Sequence, residues 1–287
     1  MRFLVAGVLI FVPFCGLTWA EGGHDVPEPD ELPASAVPWV TQTPAPVPAD
    51  EPMPAPPPDL TPDLFRAVAG ADAGLVGQLL DGGVDANCIL PDPAPDDLLK
   101  RFRDTDLEYF LTKEKGLTPL MLASAMGYTD VVKLLLERGA KRSAVTKRHR
   151  TFALWLAGHY GHVEAMQLLL GVSPESEAAK IHISLADQRA WFWKDGKIER
   201  TMPVSTGRKK LPTPKGRFVV TDKYRDWKST LYPAKMPYFL RLSCKDFGMH
   251  AGVVPGYPAS HGCIRVPAAD AKVLFAEVPV GTLVEIE

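Results

Sequence analysis

Cysteine is scarce in this chain: four residues in 287. One of them, Cys15, falls in an apolar N-terminal stretch that reads as a leader. The others are Cys88, Cys244 and Cys263. An odd number excludes a fully paired disulfide framework and requires at least one free thiol. For Cys88 and Cys244 the sequence leaves two readings, a bridge between segments or two isolated, partly buried thiols. Net charge is also small, −2. No recognised nucleic-acid reading motif is present, so no nucleic-acid partner is expected. No apolar run reaches the roughly 20 residues that a membrane span needs. His159 and His162 lie close in sequence, but no third ligand accompanies them, and no metal site is expected.

Proline, by contrast, is abundant and uneven. Thirteen of 28 fall between Pro27 and Pro62. Residues 21–62 are Pro, Ala and acid with few large apolar side chains, and cannot bury a core. They read as an extended linker, either a tether or plain disorder. Residues 1–20 read as a signal peptide: Arg2, a largely apolar run from Phe3 to Leu17, then Thr18-Trp19-Ala20 as small-residue cleavage context. An uncleaved anchor is the alternative. Phe14 is bulky where a lipoprotein would need a small residue before Cys15. An exported protein, in the periplasm or cell envelope, follows from this leader. Charge is divided as well: residues 178–287 carry +8 and residues 21–177 carry −11. A basic last segment suits an anionic partner or simply solubility.

Residues 63–173 repeat. Leu64-Phe65-Arg66-Ala67 leads to Leu79-Leu80-Asp81-Gly82-Gly83. Leu120-Met121-Leu122-Ala123 leads to Leu135-Leu136-Glu137-Arg138-Gly139, and Leu154-Trp155-Leu156-Ala157 leads to Leu168-Leu169-Leu170-Gly171. The last two copies are offset by 34 residues. Gly116-Leu117-Thr118-Pro119-Leu120, Gly127-Tyr128-Thr129-Asp130 and Gly161-His162-Val163-Glu164 resemble the turns of ankyrin repeats. About three repeats are expected, the first degenerate in its turn. An insertion near 90–115 should hold a short helix, from Leu98, Leu99, Phe102, Leu107 and Phe110. The resemblance implies helix pairs, each covered by its neighbour, with either a protein partner or a structural spacer's role. The opposite charges of the two segments prompt the hypothesis that the array covers the active site.

Residues 178–287 change character. Ile181-His182-Ile183-Ser184 alternates, Ala190-Trp191-Phe192-Trp193 is aromatic, and Asp195-Gly196 marks a hairpin turn into Lys197 to Val204. Arg217 to Thr221, Tyr238 to Leu242 and Thr282 to Ile286 read as strands, and Ala268 to Val278 as a helix entered at Pro267. The expected fold is multidomain α plus β: an all-α repeat solenoid, then a mainly-β domain with one late helix.

The chemistry concentrates in Ser260-His261-Gly262-Cys263-Ile264-Arg265, with His250 thirteen residues before the cysteine. A thiol becomes a nucleophile when a base takes its proton. Cys263 is the candidate nucleophile and His250 the candidate base and acid. His261 is an accessory or a structural hydrogen-bonding residue. If the stretch is extended, His261 and Cys263 share a face. The N–H groups of Gly262 and Cys263 are candidates for stabilising an oxyanion. Arg265 supports the loop or binds a substrate carboxylate, and Ser260 is a local hydrogen-bonding or substrate-binding residue.

This stretch resembles the signature of L,D-transpeptidases of the YkuD type. Asp187-Gln188, Val204-Ser205-Thr206-Gly207 and Thr213-Pro214-Lys215-Gly216-Arg217-Phe218 look like that family's other landmarks. The resemblance implies a thioester on Cys263, formed with a peptidoglycan stem tetrapeptide and resolved by an acceptor amine, without metal or organic cofactor. It also implies acylation by carbapenem-type inhibitors. An orienting oxygen for His250 would be a backbone carbonyl, because Ala251 follows it. Two alternatives stand beside this reading. One is an L,D-carboxypeptidase with water as acceptor. The other is an ankyrin binding protein with a vestigial enzyme domain. A general cysteine protease fits the strand pattern poorly.

Overall fold

The computed structural model describes residues 59–229 and 234–287. The expected leader (1–20) and nearly all of the expected linker (21–62) lie outside the described residues.

Helices come first: α1 (Thr61–Ala69), α2 (Ala73–Asp81), α3 (Asp96–Arg101), α4 (Asp106–Thr112), α5 (Pro119–Met126), α6 (Thr129–Glu137), α7 (Ala153–Tyr160) and α8 (Val163–Leu169). The pairs α1–α2, α5–α6 and α7–α8 are the three repeats. Thr118 starts α5: its hydroxyl accepts the Met121 N–H at 3.3 Å, and Pro119 at the first position gives up no needed donor. Gly127 and Gly161 end α5 and α7 with φ of 69° and 81°, a left-handed cap that glycine adopts without strain. The first repeat has no such glycine. Ala71 takes φ 57° instead, and the Asp72 carboxylate accepts the Leu75 N–H at 2.9 Å to cap α2. The turn that looks degenerate in sequence is therefore made by other residues.

The insertion departs from the single helix expected of it. It holds two, α3 and α4, separated where Asp104 turns to φ 61°. Leu98, Phe102, Leu107 and Phe110 bury both helices in the repeat core. The two histidines of the third repeat are engaged in packing: His159 stacks on Trp155 at 4.9 Å, and His162 Nε2 meets the Ala125 carbonyl at 3.0 Å.

The second half comprises β1 (Ala179–Ser184), β2 (Arg189–Lys194), β3 (Lys197–Pro203), β4 (Gly216–Lys228), β5 (Lys235–Leu242), β6 (Gly248–Ala251), β7 (Ile264–Val266), α9 (Ala268–Glu277) and β8 (Leu283–Ile286). Among the described residues the strands form one 8-stranded sheet, in the order β3-β2-β1-β8-β4-β5-β6-β7. Pairing is antiparallel except between β1 and β8 and between β6 and β7. Asp195 and Gly196, at φ 49° and 73°, make the tight turn between β2 and β3. Ile181, Phe192, Leu240, Met249, Ile264 and Val284 belong to one buried cluster on the sheet, which α9 joins through Ala271 and Leu274.

The two halves share a core. Along β4, Phe218 and Val220 face the sheet's own cluster, while Val219 between them is fully buried among the ankyrin helices. Cys244 and Leu283 pack there too. Gln167 on α8 donates to the Gly281 carbonyl at 3.3 Å. Among the described residues one ion pair crosses this seam, Arg217 with Glu164 at 2.6 Å, and both side chains are half exposed. Such pairs contribute about 0–1 kcal/mol. The contact is thus made by apolar fit rather than by the opposite net charges, and it falls on β4, β8 and the Ser243 turn. No disulfide joins Cys88 to Cys244.

The fit at the seam is tight at Gly158, inside α7. A Cβ there would stand 2.8 Å from the Ser243 carbonyl oxygen and 3.2 Å from Met166 Cε. Gly158→Ala sets two effects against each other. Helix propensity favours alanine by about 0.8–1.0 kcal/mol, whereas overpacking costs about 1–3 kcal/mol. A backbone oxygen cannot rotate away, so the clash should win. We expect calorimetry to show a lower thermal midpoint for Gly158→Ala; a higher one would mean that the two halves are loosely joined.

Candidate active site

His250 sits on β6 and Arg265 on β7, directly paired across the two parallel strands. Met249 and Ile264 are the neighbouring pair, and both are buried in the sheet's core. Strand alternation therefore turns His250 and Arg265 to the other face. One step back along both strands, the Gly248 backbone hydrogen-bonds the Cys263 thiol. Gly248 has to be glycine for this approach: a Cβ would stand 2.1 Å from the Leu240 carbonyl oxygen and 2.8 Å from Phe239 Cε2. These two short strands place His250 on β6 and Cys263 immediately before β7, and neither was visible as a strand in the residue pattern.

His250 is 8% exposed. Its Nδ1 lies 2.8 Å from the Ala251 carbonyl oxygen. A carbonyl only accepts, so Nδ1 carries the proton and Nε2 is left as the basic nitrogen. Burial holds the His250 pKa below the ordinary imidazole value, the hydrogen bond to Ala251 pulls it back up, and the positive charge of Arg265 pushes it down. Burial likewise raises the Cys263 thiol above its ordinary value, against the Gly248 hydrogen bond and the charges of Arg265 and Arg241, which lower it. Both directions favour the neutral forms, thiol and imidazole, over a preformed thiolate and imidazolium.

The loop that carries the cysteine is set by Gly262, at φ 118°, a conformation closed to residues with a side chain. With this bend the condition under which His261 and Cys263 would share a face, an extended stretch, is not met. His261 is exposed at the bend, and the two side chains do not share a strand face. The role expected of the Gly262 N–H is also displaced, because that group donates to Ser260 Oγ at 3.1 Å. Ser260 itself is 1% exposed, and its hydroxyl donates to the Cys263 carbonyl. It is a clasp within the loop, spent too locally to bind substrate. Arg265 exchanges both backbone hydrogen bonds with Ser205, each at 2.9 Å. A Cβ on Gly252 would stand 3.0 Å from Arg265 Cγ, so the stem of that side chain is closely packed while its charge reaches both His250 and Cys263.

The other motifs singled out in the sequence form the frame of this loop. Gln188, at φ 50°, accepts the Thr206 N–H at 3.0 Å and donates to Thr206 Oγ1 at 2.7 Å. The Thr206 carbonyl accepts from both Ala259 and Ser260 N–H. Buried Thr213 accepts the Gly207 N–H and donates to the Gly262 carbonyl, both at 2.8 Å. Sequence reasoning missed Arg241. It is 8% exposed, pairs with Asp222 at 3.0 Å, and lies 4.9 Å from the Trp227 ring centroid and 5.5 Å from that of Phe239. Its backbone pairs with Gly248. The available signal was a single cation in the apolar run Phe239-Leu240-Arg241-Leu242.

Residues 178–286 match the family model for the L,D-transpeptidase catalytic domain, and residues 64–180 match that for ankyrin repeats, in three copies. A putative L,D-transpeptidase from Bacillus licheniformis is 29% identical over 132 residues, which cover 44% of this chain and 78% of that protein. A human ankyrin repeat domain-containing protein is 46% identical over 72 residues, 23% of this chain and 18% of its own length. Among solved structures, an L,D-transpeptidase in complex with imipenem is 26% identical with a TM-score of 0.37; the match covers 38% of this chain and 59% of that one. The chain thus spans less than two thirds of that structure and about a fifth of the ankyrin relative. The last 110 residues are an L,D-transpeptidase catalytic domain of the YkuD family, preceded in the same chain by ankyrin repeats.

Proposed function

We propose that the protein is a peptidoglycan L,D-transpeptidase with Cys263 as its nucleophile. The observation that carries this reading is the placement of His250 on β6, with Nδ1 tied to the Ala251 carbonyl and Nε2 left basic, two residues after Gly248, whose backbone hydrogen-bonds the half-buried Cys263 thiol. In the first half-reaction His250 Nε2 takes the thiol proton as sulfur bonds to the carbonyl carbon of a stem tetrapeptide. The C–N bond to the terminal residue breaks, and the leaving amine takes the proton from His250. A thioester remains. An acceptor amine then gives its proton to His250, attacks the thioester and releases the sulfur, which recovers a proton. With the Gly262 N–H already engaged, the Cys263 N–H is the candidate for stabilising the oxyanion. Arg265 lends its charge to the same place. The proposed setting is the cell envelope, reached through the leader at residues 1–20. Carbapenem-type β-lactams should form the same acyl bond to Cys263.

Mass spectrometry of the full mature chain with disaccharide-tetrapeptide tests the reaction. A thioester adduct that resolves into a cross-linked dimer is expected. Cys263→Ala should give neither, and His250→Gln should slow acylation by about 10²–10⁴-fold. Release of tripeptide without dimer would make water the acceptor. An adduct persisting in Cys263→Ala would remove the proposed nucleophile.

The pKa directions set a second expectation. His250 must be neutral to accept a proton. Its value is depressed, so activity is retained down to about pH 6.5 and lost only as pH falls through the lower folded value. The Cys263 thiol supplies the proton that the leaving amine receives. Its value is raised, so that proton is kept past pH 9 and lost above it. A plateau in kcat/KM between about pH 6.5 and 9 should follow. A rate that climbs throughout pH 7–9 would instead indicate that free thiolate is the reactive form.

A further inference from the structure

The basic excess of the catalytic domain has a local maximum that acyl transfer does not use. Arg208, Lys209, Lys210 and Lys215 lie in one loop with no acidic residue among them, and all four are exposed. Among the described residues none of them makes an ion pair, a property they share with most lysines and arginines of this domain; what sets them apart is their clustering in one short loop. The loop is also fastened to the cysteine loop. Gly207 bridges to Ser260, the Arg208 N–H donates to the Ser260 carbonyl at 3.1 Å, and Thr213 Oγ1 holds the Gly262 carbonyl at 2.8 Å. The Leu211 N–H closes a turn on the Arg208 carbonyl at 2.8 Å. The chain between these anchors carries three of the cations, and Lys215 follows two residues after the last anchor. They are held beside the nucleophile by the backbone rather than scattered over a mobile surface. Four like charges so placed repel one another, and an anionic ligand relieves that repulsion.

We propose that this rim is a carboxylate-binding subsite that selects stem peptides with free carboxylates. The inference rests on the transpeptidase reading and adds a determinant of specificity to it. The ligand chemistry follows from the donors: lysine ammonium and arginine guanidinium groups recognise carboxylates through charge-assisted hydrogen bonds, with the arginine able to grip both oxygens. Because the rim is open to solvent, its pull should weaken with salt.

The test uses the full mature chain and two forms of the tetrapeptide. One has its carboxylates free, and the other has those outside the scissile linkage converted to carboxamides. We expect the native protein to favour the free form by about tenfold in kcat/KM, mainly through KM, and the preference to shrink as sodium chloride rises. In R208S/K209S/K210S the preference should fall below about twofold. Should that variant not fold, K209Q/K210Q replaces it, with a partial loss expected. Equal use of both peptides by the native protein, or an undiminished preference in the variants, would overturn the subsite while leaving the transpeptidase reading intact. No turnover of either peptide by the native protein would overturn that reading and the subsite with it.

Discussion

The partial withdrawal of His250 and Cys263 from solvent, the first buried and the second half-buried, is the constraint around which the catalytic half is arranged. Low polarity keeps both groups uncharged, and an uncharged thiol is a poor nucleophile. Most polar neighbours work against that cost, although the charge of Arg265 offsets it at Cys263 and adds to it at His250. The Ala251 carbonyl fixes the imidazole tautomer, the Gly248 backbone hydrogen-bonds the sulfur, and the charges of Arg265 and Arg241 favour a thiolate. Arg241 can be buried because Asp222 neutralises it and aromatic rings surround it. The balance favours the neutral forms of both groups, which in the proposed reaction defers charge separation to the attack on a carbonyl.

Placing such a pair demands backbone accuracy, and the loops supply it by hydrogen bonding rather than by a deep core. The cysteine loop has no helix or long strand of its own. Ser205, Thr206 and Thr213 on one side and Ser260 on the other hold it through buried hydroxyl and backbone bonds. Each buried polar group is satisfied by the next, so loss of one leaves its partner unpaired in an apolar setting, at a cost of about 1–3 kcal/mol. The hydrogen bonds close a circuit: Gln188 to Thr206, Thr206 to Ala259 and Ser260, Ser260 to Cys263.

Much of this was legible in the sequence, and the failures have physical causes. The repeats showed themselves because a helix pair leaves its apolar period on the chain, and the cysteine loop because its chemistry needs particular residue types in a row. The strands β6 and β7 did not show. All four residues of β6 are buried, so no alternation marks it, and β7 is three residues long. The relation of His261 to Cys263 was misjudged because it depends on one dihedral at Gly262, which glycine's identity permits but does not prescribe. The Gly262 N–H looked available until its partner, two residues away, was seen. The insertion read as one helix because the break at Asp104 is a single residue in an unusual conformation. Arg241 escaped notice because its meaning lies in a pairing with Asp222 across the β4–β5 register, which spacing alone cannot reveal.

The division of charge between the halves invites the idea that attraction holds them together, but the seam argues otherwise. One half-exposed ion pair crosses it, beside Val219 and Leu283, which are packed into the ankyrin core. Apolar burial is non-directional and indifferent to salt, which makes it the better joint for surfaces that must stay fixed. The charges are thereby left for the solvent-facing side. There the positive excess gathers next to the cysteine loop, in residues with no internal partner. A domain that needed those cations only for solubility would gain nothing from gathering them on a loop hydrogen-bonded to Ser260 and Gly262 of the cysteine loop.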